Sequence, residues 1–295
     1  MLTRCIGLGV LAAALVSLLP GELRAAEAKA AADSAALVMV VMDPLAKPLS
    51  CPCVQGYAQR DYDQLAEKLA KALGRPVSVV YNESLHKALE TDAKGRADIV
   101  IGKHSVVKFD AERTEHKLEP VASLTNKAGG SQMTGLILVP KDDPAQTMAD
   151  LKGYRIIFGP EECDEKYAAA MALLEEHGVA RPDKLETSPA CSDGACLILE
   201  EAKEGRRGAA VISSYAQPLL EGCGTVEKGA LRIVGETAPV PFIEAFVSEE
   251  LPGELRSEIK SALLKSTIDP LLRRALETKA GFVALEDEAL AAKKK

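Results

Sequence analysis

The sequence contains no tryptophan, and only 4% of its residues are aromatic. Sites that work by stacking, such as sugar platforms, quaternary-ammonium cages and single-strand nucleic-acid channels, therefore lack their usual material. Basic runs are missing too, apart from Lys293-Lys294-Lys295, and the formal net charge is −7, so the electrostatic footprint of nucleic-acid binding is absent. There is no Gly-x-Ser-x-Gly elbow, no Gly-x-x-x-x-Gly-Lys-Ser/Thr phosphate loop and no Cys-x-x-Cys-His haem attachment. After the first thirty residues no apolar run approaches the roughly 20 needed to span a bilayer. What remains is an ordinary globular composition, 47% apolar and 27% charged over 295 residues, enough for one large domain or two lobes. Seven cysteines and four histidines are the unusual material.

Residues 1–26 read as a secretory signal: Arg4 supplies a charged start, Ile6 to Leu19 an apolar stretch, and Pro20-Gly21 a break before small residues suited to cleavage. Retention as a membrane anchor is the other reading. Cys5 precedes the apolar stretch and so is not a lipoprotein cysteine. Cleavage leaves a chain of charge −8 with six cysteines, an even number compatible with disulfides in an exported protein. Residues 27–36 read as an alanine-rich flexible leader.

Strand and helix patterns then alternate, which predicts an α/β fold. Leu37–Met42 is a continuous apolar run, as a strand covered on both faces requires. Leu65, Ala66, Leu69 and Leu73 fall on one helical face ended by Gly74. Val77–Tyr81, Asp98–Ile101, Gly135–Val139, Tyr154–Phe158, Gly208–Ile212 and Leu231–Val234 are further strands. A helix is expected from Asp164 to His177 with Gly178 just beyond it, and Asp269-Pro270 caps a C-terminal helix. Gly129-Gly130-Ser131 suits a crossover between lobes.

The ordered set Met133–Asp143, Ala149-Asp150-Leu151-Lys152-Gly153, Ile156–Gly159 and Leu174–Val179, with Gly95–Gly102 upstream and Gly205–Ser214 and Pro239–Pro241 downstream, resembles the phosphate, phosphite and phosphonate periplasmic binding proteins of ABC transporters. The resemblance spans residues 37–265. It implies a two-lobed type 2 periplasmic-binding fold with a ligand cleft between lobes, lobe one being 37–128 plus 236–295 and lobe two 129–235. It also implies a non-catalytic monomer without a cofactor, which delivers a small ligand to a permease. The implied ligand-facing residues are Cys51, Cys53, Tyr81, Ser84, His104, Ser105, Thr134, Glu162, Cys163, Asp164, Ser213 and Tyr215.

Two departures bear on the ligand. Where phosphonate binders of this family place small hydroxyl residues and glycine, this sequence has Gly159-Pro160-Glu161-Glu162-Cys163-Asp164-Glu165. Its carboxylates suit a helix N-terminus, each by roughly 0.3–1 kcal/mol, yet repel a phosphoryl dianion. Second, Cys51, Cys53 and Cys163 read as a soft site for copper, zinc or arsenite, with His104 beside it. Disulfides are the other reading of these cysteines: Cys191 and Cys196 flank a Gly turn that closes on itself, or one of them pairs with Cys163 or Cys223. A thiol oxidoreductase built on Cys51-Pro52-Cys53 is a third reading.

Overall fold

The computed structural model describes residues 36–51, 54–56, 58–182, 184–266 and 268–285. The expected signal, and the leader up to Ala35, lie outside them.

Two sheets organise the chain. The first contains β1 (Leu37–Met42), β2 (Val77–Tyr81), β3 (Ile99–Lys103), β4 (Leu118–Leu124), β12 (Ile243–Ser248) and β13 (Phe282–Val283), in the order β13-β4-β12-β3-β1-β2. β1 runs parallel to β2 and β3, while β12 is antiparallel to both β3 and β4. The second contains β6 (Gly135–Pro140), β7 (Arg155–Phe158), β8 (Glu186–Thr187), β9 (Gly208–Ser213) and β10 (Leu231–Glu236), in the order β10-β6-β9-β7-β8. Between them the chain crosses twice, and the crossing segments pair as a short ribbon of β5 (Gln132–Met133) and β11 (Val240–Pro241). Asn126 ties the first crossing: its Oδ1 accepts from the backbone N–H of Ala128, Gly129 and Gly130 at 2.9, 2.8 and 3.0 Å.

Helices cover both faces of each sheet, which explains the uninterrupted apolar strands. In β1, Met39 and Val41 enter one core while Val40 and Met42 enter another. In β6, Ile137 and Val139 face one core, and Leu136 and Leu138 the other. Each such side chain contributes roughly 1.5–3 kcal/mol on burial. α1 (Tyr62–Leu73) is capped by the Asp61 carboxylate and ends at Gly74, whose φ of 64° is the left-handed conformation the sequence anticipates there. The remaining helices are α2 (Leu85–Glu90), α3 (His104–Arg113), α4 (Ala168–Glu176), α5 (Cys191–Lys203), α6 (Ala216–Gly222), α7 (Gly253–Ser266) and α8 (Pro270–Ala275). Asp269 caps α8 by accepting from Leu271 and Leu272, with Pro270 at its first position.

The structure corrects two local expectations. The helix expected from Asp164 is broken: a 3₁₀ turn, Asp164–Lys166, precedes α4. The Cys191–Cys196 step is no loop but the first part of α5. Gly194 sits inside that helix because the helix presses on the sheet there; a Cβ would meet Ala210 Cβ at 3.4 Å and Ser188 Oγ at 3.2 Å.

A candidate ligand cleft sealed by an ion pair

The carboxyl ends of the parallel strands converge, as they do where α/β proteins bind ligands. Asp43 directly follows β1, and β3 ends in Lys103; from the other sheet, β9 ends in Ser213, and β7 leads into the Gly159–Lys166 turn. Of these, Lys103, Ser213 and the turn meet in the buried interior. Lys103 Nζ donates to Glu165 Oε1 at 2.6 Å and to Cys163 Sγ at 3.2 Å, and Ser213 Oγ donates to the same Glu165 oxygen at 2.5 Å. The Lys103 and Glu165 side chains are 7% and 0% exposed, so the pair that joins the two lobes is shielded from water. Ser213 N–H donates to Cys191 Sγ at 3.4 Å, and Ser105 Oγ accepts from the Asp164 backbone N–H at 3.3 Å.

Glycine makes room for this turn. A Cβ on Gly135 would lie 1.9 Å from the Glu165 carbonyl oxygen, and one on Gly159 would strike the Lys166 stem at 2.5 Å. The turn can therefore press against the sheet and drive Glu165 inward instead of leaving it on the surface.

The electrostatics follow from burial and pairing. Burial pushes the Glu165 carboxyl up, but Lys103, Ser213 and Lys166 together pull it below the ordinary glutamate range. Burial pulls Lys103 down, and Glu165, Cys163 and Tyr215 overcome it, so the ammonium holds its proton more tightly than usual. Burial pushes the Cys163 thiol up despite Lys103 and Lys166, so it stays protonated at neutral pH. Glu165 Oε2 has no hydrogen-bond partner.

A second buried ion pair lies in lobe one. Arg60 Nη1 donates to Asp43 Oδ2 at 2.8 Å, and Tyr62 OH donates to the same oxygen at 2.5 Å. The Arg60 guanidinium sits 5.6 Å from the Phe242 ring centroid, and Phe242 stacks on Tyr215 at 4.9 Å. Beside this stack is a cavity of about 390 Å³. It is lined by Leu45, Ala58, Arg60 and Phe242 from lobe one, by Ser214, Tyr215, Pro218 and Leu219 from lobe two, and by Asn126–Ala128, Gln132 and Met133 of the crossing, with Glu277 at its edge.

The residues expected in the cleft divide. Cys163, Ser213, Ser105, Asp164 and Tyr215 come together at the junction just described, Asp164 through its backbone. His104 turns away: its Nδ1 is 2.5 Å from Glu244 Oε2, and with Ser123, Ser131 and Pro241 it lines a separate cavity of about 330 Å³. Tyr81 donates to Asp63 Oδ1 within lobe one at 3.0 Å. Ser84 and the Leu85 N–H at the start of α2 donate to Asp110 at 2.9 and 2.7 Å, a helix-end contact. Thr134 donates to Glu236 at 2.7 Å, between neighbouring strands of lobe two. Glu162 is half-buried on the turn, and Cys51 is exposed. Cys53 and Pro52 lie outside the described residues.

Sequence reasoning passed over Lys103, Glu165, Asp43 and Arg60. The available signal was their place: Asp43 and Lys103 stand at the ends of two apolar strands, and Glu165 is one of four acids in a row of seven residues. The cysteines also differ from expectation. Cys163, Cys191 and Cys196 are unpaired thiols. Cys191 and Cys196 are five helical positions apart, about 140° round α5, and cannot bridge. Among the described residues no group of three His, Cys, Asp or Glu side chains is placed to hold a metal ion. Cys163 in particular faces the Lys103 ammonium, which repels a metal cation.

Known structures share this architecture. The protein XAC2383 of Xanthomonas citri, solved bound to ATP, superposes with a TM-score of 0.65 at 17% identity, over 88% of this chain and 94% of that one. A binding-protein component of an ABC phosphonate transporter from Pseudomonas aeruginosa gives 0.63 at 12% identity, over 88% and 85%. PhnD1 of Prochlorococcus marinus, solved with methylphosphonate, gives 0.62 at 13% identity, over 88% and 97%. At such identities the likeness is one of fold: two-lobed periplasmic binding proteins. No curated protein sequence matches the chain. The family model described as "ABC transporter, phosphonate, periplasmic substrate-binding protein" matches residues 55–290. By that match across most of its length, and in keeping with its two-lobed architecture, the chain belongs to the phosphonate-type periplasmic substrate-binding family of ABC transporters.

Proposed function

We propose that the protein is an exported, non-catalytic receptor that takes up one small ligand between its lobes and presents the closed form to an ABC permease. Lobe one is 37–128 plus 236–295 and lobe two 129–235, and the receptor works as a monomer. The observation that carries this reading is the buried contact between lobes, Lys103 with Glu165 and Cys163, at the strand ends where the family's cleft lies. Hinge closure of this kind creates the surface that a permease reads.

The receptor does not take a free phosphoryl dianion. Lys103 is already neutralised by Glu165, and the carboxylates of Glu161, Glu162 and Asp164 crowd the same turn. A thermal-shift screen of the purified protein against phosphate, phosphite, methylphosphonate and a fractionated small-molecule extract tests the reading. A shift with an extract fraction but none with the three anions is expected. A screen in which nothing raises the melting temperature overturns the receptor reading; a clear response to methylphosphonate overturns only the exclusion of the dianion.

A further inference from the structure

Glu165 takes up the Lys103 ammonium at the junction, but the cavity of about 390 Å³ beside the Tyr215–Phe242 stack is not filled by side chains. That volume lies within the 300–1,000 Å³ range of small-molecule sites. Its walls are mostly apolar: Leu45, Met133, Pro218, Leu219 and the stacked pair Tyr215 and Phe242. Every formal charge on it is matched. Arg60 is held by Asp43 at 2.8 Å, and Lys127 pairs with Glu277 at the rim. A charged guest would therefore enter without a counter-charge and give up part of its hydration. Arg60 lines the wall but is only 2% exposed, its guanidinium held between Asp43 and the Phe242 ring.

We infer that this cavity is the ligand site, and that its ligand is an uncharged, largely apolar small molecule. The inference rests on the receptor reading above and names the class of solute. Both lobes and the crossing between them contribute to the wall, so a guest there touches both lobes at once. Binding there stabilises the closed form, because the open form separates the Tyr215 side of the wall from the Phe242 side.

The test is fluorine NMR of the purified full chain with para-fluorobenzamide, an uncharged ring with a carbonyl acceptor, against para-fluorobenzoate, its anionic counterpart. Saturable line broadening with the amide and none with the benzoate is expected. Leu219→Trp fills the cavity and should abolish the broadening; Leu219→Ala, which enlarges it, should keep it. Equal binding of amide and benzoate, or full binding by Leu219→Trp, overturns the inference. So does the absence of any amide broadening in wild type and Leu219→Ala alike. In each of those cases the receptor reading stands or falls separately, on the response to the extract.

Discussion

Lys103 on the last residue of β3 and Glu165 on the turn after β7 are 62 positions apart in sequence and 2.6 Å apart in space, with almost no exposure to water. Such a pair repays the cost of burying two charges only while both partners are present. Lys103→Met or Glu165→Gln alone is expected to destabilise the fold by roughly 3–5 kcal/mol, and the double variant by clearly less than the sum. Urea denaturation of the four proteins measures the cycle. Additive single losses would show that the two side chains do not interact.

Removing the internal carboxylate should change what the cleft accepts. In Glu165→Ala, Lys103 and the Ser213 hydroxyl lose their shared acceptor, and Lys166 lies close by. Methylphosphonate is expected to raise the melting temperature of this variant by several degrees while leaving wild type unchanged. An unresponsive Glu165→Ala would mean that the carboxylate is not what keeps the anion out.

Acid should loosen the same junction. The Glu165 carboxyl has a lowered pKa in the fold, held down mainly by Lys103 against the opposing effect of burial. Its contribution is therefore complete above the unfolded glutamate value of about 4.3 and is lost as pH falls through the lower, folded value. Thermal stability should drop across that acidic window, and the drop should be smaller in the double variant Lys103→Met with Glu165→Gln. Parallel melting-temperature profiles for the two proteins would exclude Glu165 as a source of the acid sensitivity.

Gly135 is where the backbone of one lobe-two strand meets the turn that carries Glu165. Gly135→Ala places a Cβ 1.9 Å from the Glu165 carbonyl oxygen, so the turn must move. A loss of roughly 1–3 kcal/mol is expected, as for other overpacked sites. The same substitution at Gly153, where a Cβ meets nothing within 4 Å but φ is 79°, acts through backbone strain alone and leaves the junction in place. Chemical denaturation reads the stability of both variants, and the response to methylphosphonate tells them apart: Gly135→Ala gains one and Gly153→Ala does not.

The thiols give a direct chemical check. Cys163, Cys191 and Cys196 are unpaired, so protein purified without reductant and then denatured should yield at least three titratable thiols. In the native state Cys163 should resist alkylation, because it is buried and its thiol is held protonated. A count of zero would restore the disulfide reading.

Much of the architecture was legible beforehand, since apolar strand runs and helix-end residues are local signals. β1, the Gly74 helix end and the Asp269-Pro270 start were all readable because each depends on a few neighbouring residues. The start of α5 was not: Cys191-Ser192-Asp193-Gly194 reads as a turn by propensity, and packing of Gly194 against Ala210 overrides it. β4 and β12 also went unread, because Glu119, Pro120 and Ser123 in one and Glu244 in the other interrupt their apolar runs, and their pairing is made only when distant segments meet.

The sequence alone determined the fold class, the family resemblance, the scarcity of aromatic and basic material, and the suspicion that acidic residues at 161–165 are wrong for a phosphoryl dianion. Tertiary structure decided which of those acids matters. Glu161 and Asp164 stay at the surface, while Glu165 turns inward onto Lys103 because glycine at 135 and 159 lets the turn close on the sheet. Sequence order carries no information about that approach: the energy of a buried charge depends on partners in space, and these come from opposite lobes.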